Sequence, residues 1–167
     1  MEVPLILTLA LEEYAFQFFN ALRKIYYPAH LNKADAHLTL FHLLPSHDSV
    51  IEKVATMAAH QNTITLQVKE PILTSTGVSY TIESDCLMQL HRDFQRSWES
   101  FLIPQDREEL WPHITIQSQA NKEESGELLQ FLTSNFSGFD AIGTGLQLWE
   151  NQGGKMKLFR EFPFIKD

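Results

Sequence analysis

The sequence has little of what marks secreted or membrane-spanning chains. Its single cysteine, Cys86, cannot form a disulfide within the chain. The apolar stretch at residues 3–11 is shorter than the roughly 20 residues of a membrane-spanning helix. No basic residue precedes it, as one would in a signal peptide. We therefore expect a cytoplasmic protein in a reducing compartment that does not act at a membrane.

Basic residues are also few. The 167 residues include 13 Lys and Arg against 21 Asp and Glu, which gives a formal net charge of −8. Binding of long nucleic acid depends on many Lys and Arg contacts to phosphates, so this composition argues against it. The composition leaves room for a small phosphorylated substrate that a few local groups hold. It leaves the oligomeric state open.

Low-complexity segments and flexible linkers are missing too, which indicates one domain spanning residues 1–167. The order of strand, helix, proline, loop and strand occurs twice along it, in units of approximately residues 4–70 and 77–164. His37 and His113 lie 76 residues apart, and so do the prolines that end the preceding helices. We therefore expect a single domain with two related lobes.

Hydrophobic periodicity predicts the elements of both units. Apolar residues at helical spacing are expected in the core, among them Phe18, Phe19, Phe94 and Trp98. Strands are predicted at residues 4–11, 36–45, 63–70, 77–84, 112–117, 144–150 and 155–164, and helices at 12–26, at 86–102 and in two segments that begin near Ser49 and Asn121.

Two short motifs carry the chemistry. "HLTL" contains His37 and Thr39, and "HITI" contains His113 and Thr115. Residues i and i+2 of a strand face the same side, so each motif places an imidazole and a hydroxyl together on one face. If the two lobes bring these strands face to face, one cleft holds two imidazoles and two hydroxyls.

That set of groups suits acid–base chemistry at phosphorus. One neutral imidazole can take a proton from the attacking oxygen while the other, protonated, gives one to the leaving oxygen. Threonine hydroxyls can donate hydrogen bonds to the non-bridging oxygens. The scheme requires no cofactor, and the seven histidines show no metal-ligand spacing, so we expect neither cofactor nor metal.

The paired motifs resemble the signature of the two-histidine phosphoesterases. These include bacterial 2'-5' RNA ligase-like proteins and cyclic nucleotide phosphodiesterases. The likeness covers nearly the whole chain, with "WPH" before the second motif and "FREFPF" near the end. It implies a bilobal α+β fold, in which two pseudo-symmetric antiparallel sheets with outer helices surround a central cleft.

The resemblance also implies an activity and roles for the motif residues. The activity is hydrolysis, without metal, of a 2',3'-cyclic or 2'-5'-linked phosphodiester in a nucleotide or at an RNA end. His37 and His113 would be the acid and base, in an order that the sequence leaves open. Thr39 and Thr115 would bind the substrate phosphate.

Four further residues are candidates for substrate contacts. Phe41, Tyr80 and Trp111 are candidates for stacking on a base, and Phe41 is expected on the strand face of the first motif. Arg160 could reach a phosphate or could be an exposed charge on the last strand. His42 is expected on the opposite face of its strand, in a structural or surface role.

A second function stays open beside the first. The segment "DREELW" before the second motif has more acidic than basic residues, whereas RNA-acting relatives tend to place basic residues around the cleft. This favours a nucleotide-sized substrate over long RNA. It also suits an alternative in which the chain is a non-catalytic nucleotide-binding module of the same fold.

Overall fold

Strands and helices alternate along residues 2–166, the part of the chain that the computed structural model describes. The strands are β1 (Leu5–Leu11), β2 (Leu38–Leu44), β3 (Ile64–Leu73), β4 (Val78–Glu83), β5 (His113–Gln117), β6 (Phe139–Gln152) and β7 (Lys155–Pro163). The helices are α1 (Glu13–Tyr26), α2 (Asp48–Ala59), α3 (Asp85–Trp98), α4 (Pro104–Arg107) and α5 (Lys122–Ser134).

Local sequence signals account for the ends of several helices. The Ser84 hydroxyl accepts a hydrogen bond from the Leu87 amide and caps α3. Asn121 caps α5 in the same way, as its position in the sequence predicts. Helix α2 begins at Asp48, without the side-chain cap expected near Ser49. Within residues 2–166, no helix has both the length and the apolar character needed to cross a membrane.

All seven strands of residues 2–166 belong to one continuous antiparallel sheet. Its order is β2-β1-β6-β3-β4-β5, with β7 also paired to β6. The expected α+β class is confirmed; the expected division into two sheets is not confirmed, because the strands are connected to one another. The reason is the length of β6, whose 14 residues pair with β3 near its start and with β1 along the rest. This central strand links the β1–β2 pair to strands β3, β4 and β5.

The sheet is strongly curled. Strands β2 and β5 stand at opposite ends of the strand order, yet they contact each other. Each of them carries one His-x-Thr motif at its beginning. The curl therefore brings the two motifs together across a cleft.

Each of the two long amphipathic helices packs against the motif strand of the other half. Phe94 and Trp98 of α3 contact Phe41 on β2, with ring centroids 6.1 and 5.1 Å apart. Helix α1 packs against β5, and its Phe19 lies 5.4 Å from the Tyr80 ring on β4. These aromatic contacts form the core behind the sheet and hold both motif strands from the side opposite the cleft.

Candidate active site

Both motif histidines are held by the same hydrogen bond. The Nδ1 atom of His37 lies 2.7 Å from the Asp35 carbonyl, and that of His113 lies 2.7 Å from the Trp111 carbonyl. A carbonyl oxygen only accepts, so Nδ1 carries the hydrogen in each ring. Nε2 is then the atom of each ring that is left to exchange a proton with a ligand.

Burial lowers the pKa of both rings below the ordinary value of 6.5. For His37 the desolvation is opposed by the Asp35 hydrogen bond and reinforced by the charges of Arg23, His113 and His42. For His113 it is opposed by the Trp111 hydrogen bond and reinforced by His42. Both imidazoles are therefore neutral near pH 7, and an anion between them would stabilise the protonated form.

The two motif threonines each face a hydroxyl on the neighbouring strand. Thr39 lies directly opposite Thr8, and Thr115 lies opposite Ser79. Thr8 and Ser79 are completely buried. Neither role was predicted from the sequence, although Thr8 is a small hydroxyl inside an otherwise apolar strand, which is a usable signal.

Those buried hydroxyls are held by specific hydrogen bonds. Ser79 Oγ donates to Thr115 Oγ1 over 3.2 Å, which leaves the hydroxyl hydrogen of Thr115 free for another acceptor. The Thr8 hydroxyl accepts from Trp149 Nε1 at 2.8 Å and donates to Gln147 Oε1 at 3.2 Å. Each motif threonine therefore has one buried hydroxyl opposite it on the neighbouring strand.

Arg23 of α1 ties the two motif segments together. Its Nη1 donates to the Thr115 carbonyl at 2.9 Å, and its Nε donates to the Ala34 carbonyl at 3.1 Å and to Asn32 Oδ1 at 3.0 Å. The guanidinium also lies 3.9 Å from the centre of the Tyr27 ring. Burial lowers the pKa of Arg23, while the nearby Tyr27 and Asp35 oppose that shift. Its role in fixing the approach to His37 was missed by the sequence analysis.

The predicted stacking role is wrong for two residues, Phe41 and Tyr80. Phe41 is fully buried against α3, and Tyr80 is 1% exposed among the rings of Phe18, Phe19 and Phe136. The cause for Phe41 is an irregularity in the pairing of β1 and β2, where Thr8 faces Thr39 but Leu7 faces Phe41. The extra residue of this bulge, Leu40, turns Phe41 to the core. Neither ring is free to stack on a ligand.

The same bulge places His42 on the face of the sheet that carries Thr39, whereas the opposite face was predicted from the sequence. His42 lines a cleft of about 190 Å³ together with Thr39, Trp111 and His113. Its Nδ1 lies 2.9 Å from the Asp106 carboxylate. His42 and His113 therefore line one cleft, while His37 lines the neighbouring cavity.

Of the other two candidates, Trp111 lies at the site and Arg160 does not. The Trp111 indole stacks on the His113 ring with centroids 3.9 Å apart, and it is 41% exposed. Its stacking on a base stays a prediction. Arg160 pairs opposite the buried Leu148, which alternates with Gln147, so Arg160 lies on the other face of the sheet. The expected phosphate contact of Arg160 is wrong.

A larger cavity of about 570 Å³ opens beside His37. Apolar groups line part of it, including Phe16, Trp149 and Met156, and three lysines reach it from different segments: Lys24, Lys33 and Lys155. Its volume lies within the range of small-molecule sites. Within residues 2–166, no group of three or more His, Cys, Asp or Glu side chains could hold a metal ion.

Solved structures share this architecture. TT0787 of Thermus thermophilus superimposes with a TM-score of 0.67 at 14% identity, over 96% of this chain and 97% of that one. E. coli LigT complexed with 3'-AMP gives 0.65 at 15% identity, over 98% and 99%. Other structures of LigT contain ATP, NADP⁺ or phosphate. At these identities the likeness shows the fold. No curated protein matches this chain.

The curled sheet and its two His-x-Thr strands are those of a two-histidine phosphoesterase. The model of the 2'-5' RNA ligase superfamily matches residues 11–155, and the chain belongs to that superfamily. Membership supports a phosphodiesterase-type function.

Proposed function

We propose that the chain hydrolyses a 2',3'-cyclic or 2'-5'-linked phosphodiester of a nucleotide or RNA end by two-histidine acid–base catalysis. The observation that carries this proposal is the identical setting of His37 and His113. Each ring has its Nδ1 hydrogen fixed by a carbonyl two residues earlier, at 2.7 Å. Two imidazoles with Nε2 left for proton exchange are what such a reaction needs.

The reaction proceeds by addition of water across one P–O bond. The neutral imidazole takes a proton from water as its oxygen attacks phosphorus. The protonated imidazole gives its proton to the oxygen that leaves, and a phosphate monoester results. Thr39 and Thr115 bind the non-bridging oxygens, and the hydrogen bond from Ser79 directs the Thr115 hydrogen toward them.

The cavity beside His37 supports a nucleoside as the organic part of the substrate. Its volume of about 570 Å³ accommodates a nucleotide, and its apolar surface includes Phe16 and Trp149. The three lysines at this cavity supply positive charge in a chain whose net charge is −8. The LigT structures with 3'-AMP, ATP and NADP⁺ bind nucleotides on the same fold.

The experiment is phosphorus NMR of the purified chain with a mixture of 2',3'-cyclic nucleotides in the presence of a chelator. A 2'- or 3'-monophosphate signal is expected for the wild type and is expected to disappear in a His37→Ala/His113→Ala double variant. Each single substitution should lower kcat by at least roughly 10²-fold. Activity that survives both substitutions, or that requires a metal, would contradict the proposal.

The alternative is a nucleotide-binding module without turnover. The lowered pKa of both imidazoles favours it, because a site with two neutral rings has no acid for the leaving oxygen. This module would bind a mononucleotide saturably and form no product. A monophosphate signal from the wild type alone would exclude it.

A further inference from the structure

The strongest feature outside the two motifs is the pair formed by His42 and Asp106. Asp106 is 2% exposed, although it lies on the short helix α4. Its carboxylate accepts hydrogen bonds from the His42 amide at 2.9 Å and from the Leu43 amide at 3.1 Å. It also contacts the His42 ring, at 2.9 Å from Nδ1. Asp106 therefore fixes both the backbone and the ring of His42.

The orientation of that ring follows from its partner. A carboxylate oxygen accepts, so Nδ1 of His42 donates and Nε2 is left for other contacts. Within residues 2–166, the hydrogen-bond geometry gives Nε2 no protein partner. The side chain is 44% exposed. The ring is therefore fixed at one nitrogen and open to a ligand at the other.

The position of His42 places that open nitrogen in the candidate active site. The bulge at Leu40 puts His42 on the face of Thr39, and the two residues line one cleft with His113. The charge of His42 contributes to the lowered pKa of both His37 and His113, so the three rings lie within electrostatic range.

The charges around the cleft indicate which groups are available to bind a phosphate there. Glu108 and Glu109 line it together with Asp106, and among the described residues that line it there is no lysine or arginine. Arg23 directs its Nε and Nη1 atoms to Asn32, Ala34 and Thr115. Within residues 2–166, an anionic phosphate in this cleft meets no lining lysine or arginine, and a His42 ring that takes up a proton at Nε2 would supply an N–H donor to it.

We propose that His42, held by Asp106, is a substrate-binding residue whose Nε2–H donates to a non-bridging oxygen of the substrate phosphate. This inference rests on the proposed function, since it concerns the same phosphate. It adds a residue outside the His-x-Thr motifs to the site. It also assigns a use to the buried carboxylate of Asp106, which the acid–base scheme does not require.

Two amide substitutions separate ligand binding from a structural role. In His42→Asn the amide nitrogen lies near the position of Nδ1, so the contact to Asp106 is kept and the outer donor is lost. In His42→Gln the amide nitrogen lies near the position of Nε2, so an uncharged outer donor is kept. His60→Asn removes an exposed imidazole that lines neither cavity and serves as the control.

The measurement is calorimetric titration of each folded variant with inorganic phosphate and with adenosine 3'-monophosphate. We expect roughly 10-fold weaker binding for His42→Asn, an intermediate loss for His42→Gln and no change for His60→Asn. The reverse order, with His42→Gln the weaker, would show that the ring acts only through Asp106. Equal binding by all variants, or no binding by the wild type, would overturn the inference.

Turnover of a 2',3'-cyclic nucleotide, measured on the same preparations, separates this inference from the proposed function. Phosphate binding that depends on His42 without any turnover would refute hydrolysis of the cyclic nucleotide and keep the role of His42. Turnover with equal phosphate binding by all variants would keep hydrolysis and refute the role of His42. If His42→Asn does not fold, nitrogen NMR of the wild-type imidazole decides: the Nε2 signal of His42 should shift on titration with phosphate, and an unchanged signal would overturn the inference.

Discussion

The Arg23 guanidinium donates a 2.9 Å hydrogen bond to the Thr115 carbonyl, across 92 positions of sequence. The same side chain holds the segment that leads into His37, through the Ala34 carbonyl and Asn32. Arg23 is 5% exposed. One buried cation thus fixes the backbone of both motifs, although it belongs to neither.

Replacement of Arg23 by lysine should therefore lower both stability and activity. A single ammonium group cannot reproduce contacts made in several directions by a planar guanidinium. We expect a loss of about 2–4 kcal/mol in the free energy of unfolding, because buried acceptors lose their donor. Urea unfolding measures it. A lysine variant as stable as the wild type would show that the guanidinium contacts add little.

Loss of the Ser79 hydroxyl should reduce turnover without unfolding the chain. Ser79 donates to Thr115 Oγ1, so in Ser79→Ala the Thr115 hydroxyl is free to rotate away from the substrate. One hydrogen bond of about 1 kcal/mol corresponds to a roughly 5-fold lower kcat. Thr76→Ala, which removes an exposed hydroxyl paired with Ser118, is the matched control. Equal kinetics of the two variants would contradict the role of Ser79.

Folding stability should decrease as the pH falls below about 6.5, the ordinary pKa of an imidazole in the unfolded chain. Burial lowers the pKa of His37, His91 and His113 in the folded chain. Their contribution is complete above pH 6.5. As the pH falls further, the unfolded chain takes up protons first, and stability is lost until the folded-state pKa values are reached.

Thermal unfolding at a series of pH values between about 8 and 5 measures this effect. The Tm should fall on the acidic side, and His91→Gln should reduce the slope. Glutamine keeps a donor for the Leu40 carbonyl, which His91 Nε2 contacts at 3.0 Å, but does not titrate. A Tm that does not change over this interval would contradict the lowered pKa values.

The pH profile of kcat/KM should be bell-shaped with its maximum below pH 6.5. Activity in the proposed reaction needs one neutral and one protonated imidazole, and the pKa of each is lowered in the free protein. Above the higher of the two pKa values the acid is lost, and below the lower one the base is lost. Initial rates at low substrate concentration give this profile. A maximum above pH 7 would mean that another group supplies the proton.

Two aromatic residues should respond to alanine in opposite ways. Phe41→Ala should cost about 3–5 kcal/mol of stability, because the ring is fully buried against Phe94 and Trp98. Trp111→Ala should change stability by less than about 1 kcal/mol, since Trp111 lies at the surface and is 41% exposed, but should alter the kinetics through its stacking on His113. Unfolding and steady-state assays on both variants test the contrast.

The contrast also shows what the sequence could provide. Local period-two patterning identified the strands that carry His37 and His113, and the α+β class followed from the order of elements. The same patterning assigned Phe41 to the site and His42 away from it, which is wrong. The bulge arises from the pairing of β2 with β1. The sequence of β2 alone therefore could not show which face of the sheet each residue after Leu40 lies on.

Contacts between residues that are distant in sequence could not be predicted, for a related reason. The meeting of Arg23 with Thr115 and of His42 with Asp106 depends on how helices pack on strands of the other half. The pairing of Thr8 with Thr39 depends on sheet register. The small hydroxyl of Thr8 within an apolar strand was the signal available. The two repeat units stay a prediction.

The continuity of the sheet has a mechanical consequence for the site. Because β2 and β5 are the two ends of one curled sheet, the gap between the motif histidines is set by the curvature accumulated over the strands between them. The distance between the two motif imidazoles therefore depends on the geometry of the whole sheet. A change at the middle strand β6, where an added Cβ at Gly145 would lie 2.7 Å from the Phe162 carbonyl, would open or close that gap from a distance. Such a variant would keep its fold and every motif residue, but the distance between its two imidazoles would change.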